Sequence, residues 1–428
     1  MKKKSMLLLL TAILLIGGIE KAVGQTKGYN KALTQDQIQE DVGILVKTLQ
    51  SNHPGLYDYQ TEDDFAQVVK TLEAEAKMAE TILDEYKVVS RLVSSVSDAH
   101  TYAMNPCYSD ILRNELLFPI IPTINNNQME IDGKRVQSIN GHTEEDILQH
   151  LQSFGNSDGN AIPYKNAFIE MEFPIKYFTF LDASASFEIV FEDGETKRLE
   201  GKSYFAEGLR KKSEKSFKIE KNTATLKIPS WEDATASSFN NDLSEMAEKS
   251  ELGAFISESL AKAIEAKVGH LVVDLRGNTG GKSGPAAILL SHLINRLFKY
   301  YKEIKVVSDK FPTKEYVTNK DVVAMYESEQ AKSLIEEIDG AFYFKDFVLP
   351  EIAPNPKQFL GTVDLLVDKY SLSVSTDVVA ILQKNREVNI KGEEMGGSLE
   401  HYCAGTYIYL QLPNSGIEIS VPLQRLKY

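Results

Sequence analysis

The stretch VGHLVVDLRGNTGG, residues 268–281, decides the fold. Residues 271–275 predict a buried strand that ends at Arg276, and a glycine-rich turn then leads into a helix. α/β enzymes use such turns to place backbone N–H groups beside a reacting atom. Lys282 and Ser283 match only the tail of the G-x-x-x-x-G-K-[ST] pattern, so a phosphate loop of that kind is excluded. The other use of bare amides is an oxyanion hole.

Strands and helices alternate on both sides of this stretch, from about residue 211 to the end of the chain. The pattern predicts strands at 223–228, 271–275, 360–367, 407–412 and 417–421 and helices within 247–266 and at 286–297 and 374–383. The fold class is therefore α/β with an open sheet. The segment 300–358 is charged and irregular, and we interpret it as an arm inserted near the site.

The first half of the chain has a different character. Residues 25–114 predict a helical domain, in which Thr34 caps the first helix and further helices follow at 62–77 and 83–96. Residues 115–210 predict a β-rich domain with short strands and an Asn-Gly turn at 140–141. Its strands are expected at 118–124, 129–131, 135–139 and 187–191, with a helix at 144–151. Such a small barrel can bind a chain terminus by strand addition.

Composition and charge limit the class of protein. A chain of 428 residues is long enough for two or three domains, and its net charge of −14 argues against nucleic acid as a partner. Residues 1–24 combine three lysines, an apolar run at 6–16 and small residues, the pattern of a secretory signal peptide. A transmembrane anchor is the alternative, but the run is shorter than the roughly 20 residues a span needs. We expect an exported protein, periplasmic or extracellular, without a membrane span.

The two cysteines, Cys107 and Cys403, leave two possibilities open. They form one disulfide between distant segments, or they are two buried free thiols. No Cys or His pair has the spacing of metal ligands, so we expect neither a metal nor a cofactor.

Two further segments carry polar side chains that suit catalysis. His100 lies in a polar turn that ends the helical region, and a serine cluster at 371–375 lies between a strand and a helix. Together with the glycine turn they supply a nucleophile, a base and oxyanion donors. Each also has a structural interpretation, because serines cap helices and a single histidine is often structural. Arg276 would ordinarily pair with a carboxylate, for which Asp274 is the candidate.

The order of D-A-H-T (98–101), D-L-R-G-N-T-G-G (274–281) and the serine cluster resembles the tail-specific serine peptidases, the family of C-terminal processing peptidases and the tricorn core. H-P-G-L-Y (53–57) and L-P-N-S-G (412–416) resemble exported members from Bacteroidota-type bacteria. The resemblance implies a PDZ-like domain at 115–210 and a crotonase-like α/β core at 211–428. It also implies an exported serine endopeptidase that hydrolyses polypeptides through an acyl-enzyme.

The same resemblance suggests roles for individual residues. In the family pattern S-x-S-x-S the middle serine is the nucleophile, which is Ser373 in this chain. The N–H of Val374, together with that of Gly280 or Gly281, would then form the oxyanion hole.

The chain departs from the Ser/Lys members of the family. They carry a Lys in a G-E-P-T-x-G-K segment, and the matching run here, residues 392–398, places Ser398 at that position. Either His100 is the base, as in tricorn-like members, or the chain is an inactive binding protein that captures peptides or another ligand. A hydrolase of other acyl bonds is a third possibility. Candidates for orienting the base are Ser97, Asp98, Glu394, Glu400 and Glu418.

Overall fold

The protein is described by a computed structural model that covers residues 28–205, 213–235, 249–349 and 351–428. The predicted signal peptide at 1–24 lies outside the described residues. Within them, no helix is both long and apolar enough to span a bilayer.

The elements are numbered along the described residues. Helices α1 to α12 are Gln35–Asn52, Glu62–Ala76, Ile82–Ser95, Tyr108–Asn114, Glu144–Gln152, Ile162–Met171, Phe173–Phe180, Glu251–Glu265, Ser283–Leu293, Lys320–Glu327, Glu329–Ser333 and Val374–Asn385. Strands β1 to β19 are Tyr102–Met104, Thr123–Asn125, Gln128–Ile131, Lys134–Ile139, His142–Thr143, Ser186–Phe191, Thr196–Glu200, Ser216–Glu220, Thr223–Lys227, His270–Asp274, Phe298–Lys299, Glu303–Val306, Ile335–Ile338, Ala341–Phe344, Glu351–Ile352, Thr362–Val367, Asn389–Gly392, His401–Gln411 and Glu418–Lys427.

The second half contains the α/β core that the sequence predicts. Its five-stranded sheet has the order β17-β16-β10-β9-β8, and every pair except β8 with β9 is parallel. Leu271 and Val273 of β10 are fully buried, and so is most of α9. Because β10 and β16 are parallel neighbours, the loops at their carboxyl ends emerge side by side. Those loops are 275–282 and 368–373, and the N–H of Leu372 donates to the carbonyl of Asn278 across them.

A second, antiparallel sheet joins the end of the helical region to the C-terminal strands. Its order is β1-β19-β12-β14-β13, and β18 pairs with β19 along most of its length. Strand β1 pairs with β19 through Tyr102 opposite Ser420. This pairing brings the end of the helical region, including His100, against the C-terminal strands.

The segment 300–358 differs from its prediction as an irregular arm. Strands β12, β13 and β14 of this segment belong to the antiparallel sheet, and β15 pairs with β11. Each of these strands is at most four residues long, which is too short a pattern to identify a strand from the sequence.

The N-terminal helices begin where the sequence predicts. The Thr34 hydroxyl accepts the N–H of Gln37, whose side chain returns a hydrogen bond from the N–H of Thr34. Helix α1 is tied to the C-terminal strands through the buried Asp41 carboxylate, which accepts the N–H and hydroxyl of Ser415. The L-P-N-S-G motif at 412–416 is therefore a tether between the first helix and the last hairpin.

Residues 115–205 contain a six-stranded antiparallel sheet with the order β2-β3-β4-β6-β7 and β5 beside β4. Asn140 and Gly141 both have positive φ, 48° and 81°, as the predicted Asn-Gly turn requires. The predicted strand at 118–124 is wrong for most of its length, since only Thr123–Asn125 is a strand. Helices α6 and α7 were missed, because their aromatic-rich sequence also suits strands.

Candidate active site

A cavity of about 950 Å³ lies where the end of the helical region, helices α6 and α7, strands β18 and β19 and the α/β core meet. His100, Ser373 and Gly281 line it together, so the three segments singled out in the sequence converge on one space. Its walls also carry apolar and aromatic side chains, among them Tyr164, Phe168, Met171, Leu372 and Tyr407. The cavity has the mixed apolar and polar lining of a binding site.

The three serines of the cluster have different surroundings. Ser371 and Ser375 are fully buried. The Ser371 hydroxyl donates to the carbonyl of Leu275 at 3.1 Å. The Ser375 hydroxyl donates to the carbonyl of Asn278 at 3.0 Å and accepts the Nε1–H of Trp231 at 3.0 Å. Ser373 alone of the three lines the cavity. The outer serines therefore hold the two loops together, and the middle one is left for chemistry.

The backbone presents Ser373 on a sharp turn. Its φ of 57° and ψ of −122° lie in a strained region for a residue with a side chain, directly before the first residue of α12. The Ser373 carbonyl accepts the N–H groups of Thr376 and Asp377, so the first turn of the helix fixes this conformation. A serine held in this way projects its hydroxyl from a strand-to-helix elbow, as acyl-transfer enzymes require.

The glycine turn packs directly against the elbow. A Cβ on Gly280 would lie 2.6 Å from Ser373 Cβ and 3.1 Å from its Oγ, and the Gly280 φ is +111°. A Cβ on Gly281, at φ +139°, would lie 2.4 Å from the carbonyl carbon of Trp231. The close approach to Ser373 explains the glycine at position 280, and the close approach to the Trp231 backbone explains the glycine at position 281.

Three amides were candidates for the oxyanion hole, and their hydrogen bonds differ. The N–H of Gly280 already donates to Asn278 Oδ1 at 2.9 Å. Among the described residues, no acceptor is found for the N–H groups of Gly281 and Val374. Gly281 and Ser373 both line the cavity, and Val374 is the next residue along the chain. The geometry thus favours Gly281 over Gly280 as the partner of Val374.

His100 follows a buried turn between α3 and β1. Its side chain is 13% exposed, and its ring packs against Tyr402 and Tyr407 with centroid separations of 5.2 and 6.4 Å. Nδ1 lies 3.8 Å from Asp98 Oδ1, too far for a hydrogen bond but close enough for an ion pair. Because Nδ1 faces the acid, Nε2 is the nitrogen available to a reacting group. Within the described chain, no hydrogen bond joins His100 to Ser373; such contacts commonly tighten only with substrate bound.

Asp98 is the acid beside this histidine. It is buried and accepts the N–H of His100 at 3.4 Å, the hydroxyl of Thr101, and a bond from His53 Nε2 at 3.2 Å. Burial alone would raise the pKa of Asp98, but the hydrogen bonds and the two histidines hold it well below its usual range. Asp98 is therefore ionised at neutral pH.

The pKa of His100 is raised, although burial alone would lower it. Desolvation would lower the pKa, but Asp98 next to Nδ1, with smaller contributions from Asp158 and Asp377, raises it above the ordinary value. An imidazole that gains a proton more readily is a stronger base, provided that the pH keeps it neutral before reaction.

Asp158 is a site residue that the sequence analysis missed. Its carboxylate accepts the N–H of Ala99 at 3.1 Å and of Ser398 at 3.3 Å, and burial raises its pKa to about 6. One carboxylate oxygen of Asp158, one of Asp98 and a ring nitrogen of His100 lie within 4.8 Å of one another. The S-D-G motif around it resembles an ordinary turn, so no signal in the sequence marked it.

The other candidates for orienting the base lie elsewhere. Glu394 and Glu400 are exposed, and the structure records no contact between either described side chain and His100. Glu418 lies on β19 opposite Met104 and accepts the Thr318 hydroxyl at 3.5 Å. Ser97 has a φ of 57°, and its carbonyl accepts the N–H of Gly159, which holds the turn before His100.

Ser398, at the family's Lys position, serves as a turn residue. Its hydroxyl accepts the N–H groups of Glu400 and His401 at 3.3 and 3.5 Å. Lys369, four residues before Ser373, is buried and directed elsewhere: its Nζ pairs with Glu170 at 2.5 Å and bonds the carbonyl of Ile124. Lys369 thus ties the α/β core to the small sheet and lies in no position to activate Ser373.

A buried aspartate supports the wall behind His100. Asp377, one turn into α12, accepts hydroxyl hydrogen bonds of 2.7 to 3.0 Å from four tyrosines, Tyr300, Tyr301, Tyr402 and Tyr428. Tyr402 is also the ring against which His100 packs. The helix that follows Ser373 and the ring that packs against His100 are therefore joined through one carboxylate.

Among the described residues, two groups of side chains come close enough to hold a metal ion, namely His53 with Asp98 and Cys403, and Asp98 with His100 and Asp158. In the first group, His53 and Asp98 are already joined by a hydrogen bond, and burial holds the pKa of the Cys403 thiol well above its usual value, so the sulfur is a protonated thiol. The donor set thus fits a hydrogen-bond network better than a metal centre. Cys107 and Cys403 are both free and buried, which excludes a disulfide between them.

Arg276 makes the ion pair that its position suggests. Its guanidinium donates to both carboxylate oxygens of Asp274 at 2.8 Å, and Asp274 closes strand β10. The Asp368 carboxylate accepts the N–H of Gly277 in the next loop. Charged residues of the D-L-R-G-N-T-G-G run therefore shape the turn and do not reach the cavity.

Comparisons with known proteins find one family model and several solved structures that are similar to this chain. Residues 222–401 match the model of peptidase family S41. The crystal structure of mature CPAF is similar with a TM-score of 0.59 at 14% identity, covering 92% of this chain and 89% of that one, which shows a shared fold. The photosystem II D1 C-terminal processing protease has a TM-score of 0.42 at 11% identity, covering 92% of this chain and 89% of that one. The tricorn protease has a TM-score of 0.33 at 11% identity, covering 90% of this chain and 32% of that one. No curated protein matches the sequence.

Proposed function

We propose that the chain is a serine-type peptidase of family S41, whose model residues 222–401 match, and that it cleaves polypeptides with Ser373 as nucleophile and His100 as general base. The observation that carries the proposal is the different environment of the three serines. The two outer hydroxyls are used in buried hydrogen bonds, whereas Ser373 shares a cavity with His100 and a free glycine amide.

The reaction proceeds through an acyl-enzyme. Ser373 Oγ attacks the carbonyl carbon of the scissile bond while His100 Nε2 takes the hydroxyl proton. The electron pair moves onto the carbonyl oxygen, and the N–H groups of Gly281 and Val374 donate to that oxyanion. His100 then gives the proton to the leaving amine, and water, deprotonated by the same imidazole, releases the acid and restores the serine.

Asp98 orients the base. As an ionised, buried carboxylate 3.8 Å from Nδ1, it stabilises the imidazolium that forms during attack and keeps Nε2 directed to the cavity. His100, as the base, takes the place of the Lys of Ser/Lys relatives, for which the chain has Ser398. Export to the periplasm or the cell exterior is part of the same proposal and is supported by the signal-like pattern at residues 1–24.

The test is cleavage of an unstructured, fluorescently labelled polypeptide by purified variants. Ser373→Ala and His100→Ala should each reduce kcat at least 10³-fold, since either loss removes the nucleophile–base pair. Ser371→Ala is the matched control, because it deletes a hydroxyl two residues away that does not line the cavity. Wild-type rates in Ser373→Ala would refute the assignment of the nucleophile. An inactive wild type that still binds the peptide would favour the binding protein instead.

A further inference from the structure

His53 lies directly behind the acid of the site. The side chain of His53 is fully buried at the end of helix α1, where the backbone N–H of His53 donates to the carbonyl of Leu49. Its Nε2 lies 2.8 Å from Thr101 Oγ1 and 3.2 Å from Asp98 Oδ2. It does not line the cavity, so it has no contact with a bound substrate.

The hydrogen bonds of His53 define its tautomer. The N–H of Gly55 donates to His53 Nδ1 at 3.2 Å, so Nδ1 is the unprotonated nitrogen. The ring proton is therefore on Nε2, which donates to Thr101 Oγ1 and Asp98 Oδ2. The Thr101 hydroxyl in turn donates to the same Asp98 oxygen. The tight turn of the H-P-G motif at 53–55 thus fixes which nitrogen carries the proton.

These donors divide the Asp98 carboxylate into two halves with different tasks. Oδ2 is held by His53 and Thr101, whereas Oδ1 faces His100, accepting its N–H at 3.4 Å and lying 3.8 Å from its Nδ1. A carboxylate with both donors removed could rotate about its Cβ–Cγ bond and would no longer present a fixed oxygen to the base.

We infer that His53 is a positioning residue of the peptidase, which acts through Asp98 to fix the orientation and tautomer of His100. The inference rests on the proposed function, in which His100 is the base. It extends the site from three segments of chain to four, because the end of helix α1 becomes part of it. The H-P-G motif then has a chemical purpose that its helix-breaking sequence does not reveal.

Substitutions with different donors separate positioning from a structural role. His53→Leu removes the N–H donor, whereas His53→Gln can place an amide N–H where Nε2 lies. We expect His53→Leu to lower kcat by 10- to 100-fold with KM unchanged, and His53→Gln to restore most of the loss. His292→Leu is the matched control, since it empties another buried imidazole site that bonds only the carbonyl of Lys357. It should lower the Tm and leave kcat unchanged.

A double-mutant cycle tests whether the effect passes through Asp98. In an Asp98→Ala background, His53→Leu should have little further effect on kcat, because its partner is absent. The inference would be overturned if His53→Leu lowered kcat by the same factor in both backgrounds. It would also be overturned if His53→Leu kept the wild-type kcat and His53→Gln were no more active than His53→Leu. Labelling of the wild type by a fluorophosphonate is measured in parallel, so that failure of the proposed function is recognised separately.

The tautomer provides a test that does not depend on activity. With ¹⁵N-labelled histidine, the His53 ring should show the Nε2–H form, and its signal should be lost in both position-53 variants. A proton on Nδ1 would contradict the inference even if the enzyme is inactive with every substrate tried.

Discussion

Gly280 offers the sharpest perturbation of the nucleophile elbow. In Gly280→Ala the new Cβ would lie 2.6 Å from Ser373 Cβ and 3.2 Å from the carbonyl oxygen of Leu372. Ordinary contacts of this kind begin near 3.4 Å. The two loops must therefore separate by close to 1 Å, and misplacement by about that distance costs roughly 10²-fold in rate. The φ of +111° adds about 1–3 kcal/mol of backbone strain.

Gly277→Ala is the matched control for this substitution. Gly277 belongs to the same turn and has a φ of +78°, but a Cβ there would meet nothing within 4 Å. It should destabilise the fold by about 1–2 kcal/mol from the left-handed backbone and leave kcat near that of wild type.

The assay combines peptide cleavage with urea unfolding of the three proteins. We expect both variants to be less stable than wild type and only Gly280→Ala to lose about 10²-fold in kcat. Equal kcat values for Gly280→Ala and Gly277→Ala would refute the argument that the glycine turn packs against the nucleophile and positions it.

Three other outcomes follow from the buried polar groups. Because Asp98 raises the pKa of His100, the acid limb of the pH profile of kcat/KM should lie above pH 6.5. In Asp98→Asn the same limb should move to lower pH, and the maximum of kcat/KM should be reduced. Burial raises the pKa of Glu85 to about 9, so the contribution of Glu85 to stability is full below about pH 4.5 and is lost as pH rises towards 9. The free energy of unfolding should therefore fall by roughly 1.4 kcal/mol per pH unit in this range. Glu85→Gln should remove this dependence, measured by urea unfolding at pH 6 and 8. Ser375→Ala leaves Trp231 Nε1 without its acceptor and should cost about 1–3 kcal/mol in unfolding free energy while fluorophosphonate labelling persists.

The order of elements in the α/β core could be predicted because its central strands β10 and β16 are rich in apolar residues and are bounded by clear turns. Residues 271–275 were predicted as a strand and His270–Asp274 is one, and the helix at 374–383 is Val374–Asn385. Thr34 could be recognised as an N-cap because its partner Gln37 lies three residues on, a purely local signal.

Other parts depend on contacts that a sequence does not contain. Helices α6 and α7 carry long runs of aromatic residues, whose local preference is for strands, and tertiary packing makes them helical. Strand β12 is specified by pairing with β19, more than 100 residues further on, and β14 in turn pairs with β12. No local pattern records such a partner.

The candidate site shows the same division. The serine cluster, His100 and the glycine turn were found from local patterns, and the family resemblance singled out Ser373 within the cluster. The structure brings Ser373, His100 and the turn to one cavity. Asp158 and His53 were not found as site residues, because each reaches the site through a side chain from a separate part of the fold. The choice of Asp98 over distant glutamates likewise required the distance of 3.8 Å to His100.

The most direct test of the central claim is the site of reaction with a fluorophosphonate, mapped by mass spectrometry of the digested protein across a range of pH. The account predicts a single adduct on Ser373, formed at a rate that rises with pH as His100 loses its proton and absent in His100→Ala. An adduct on another serine, or labelling of Ser373 that is unchanged in His100→Ala, would contradict it.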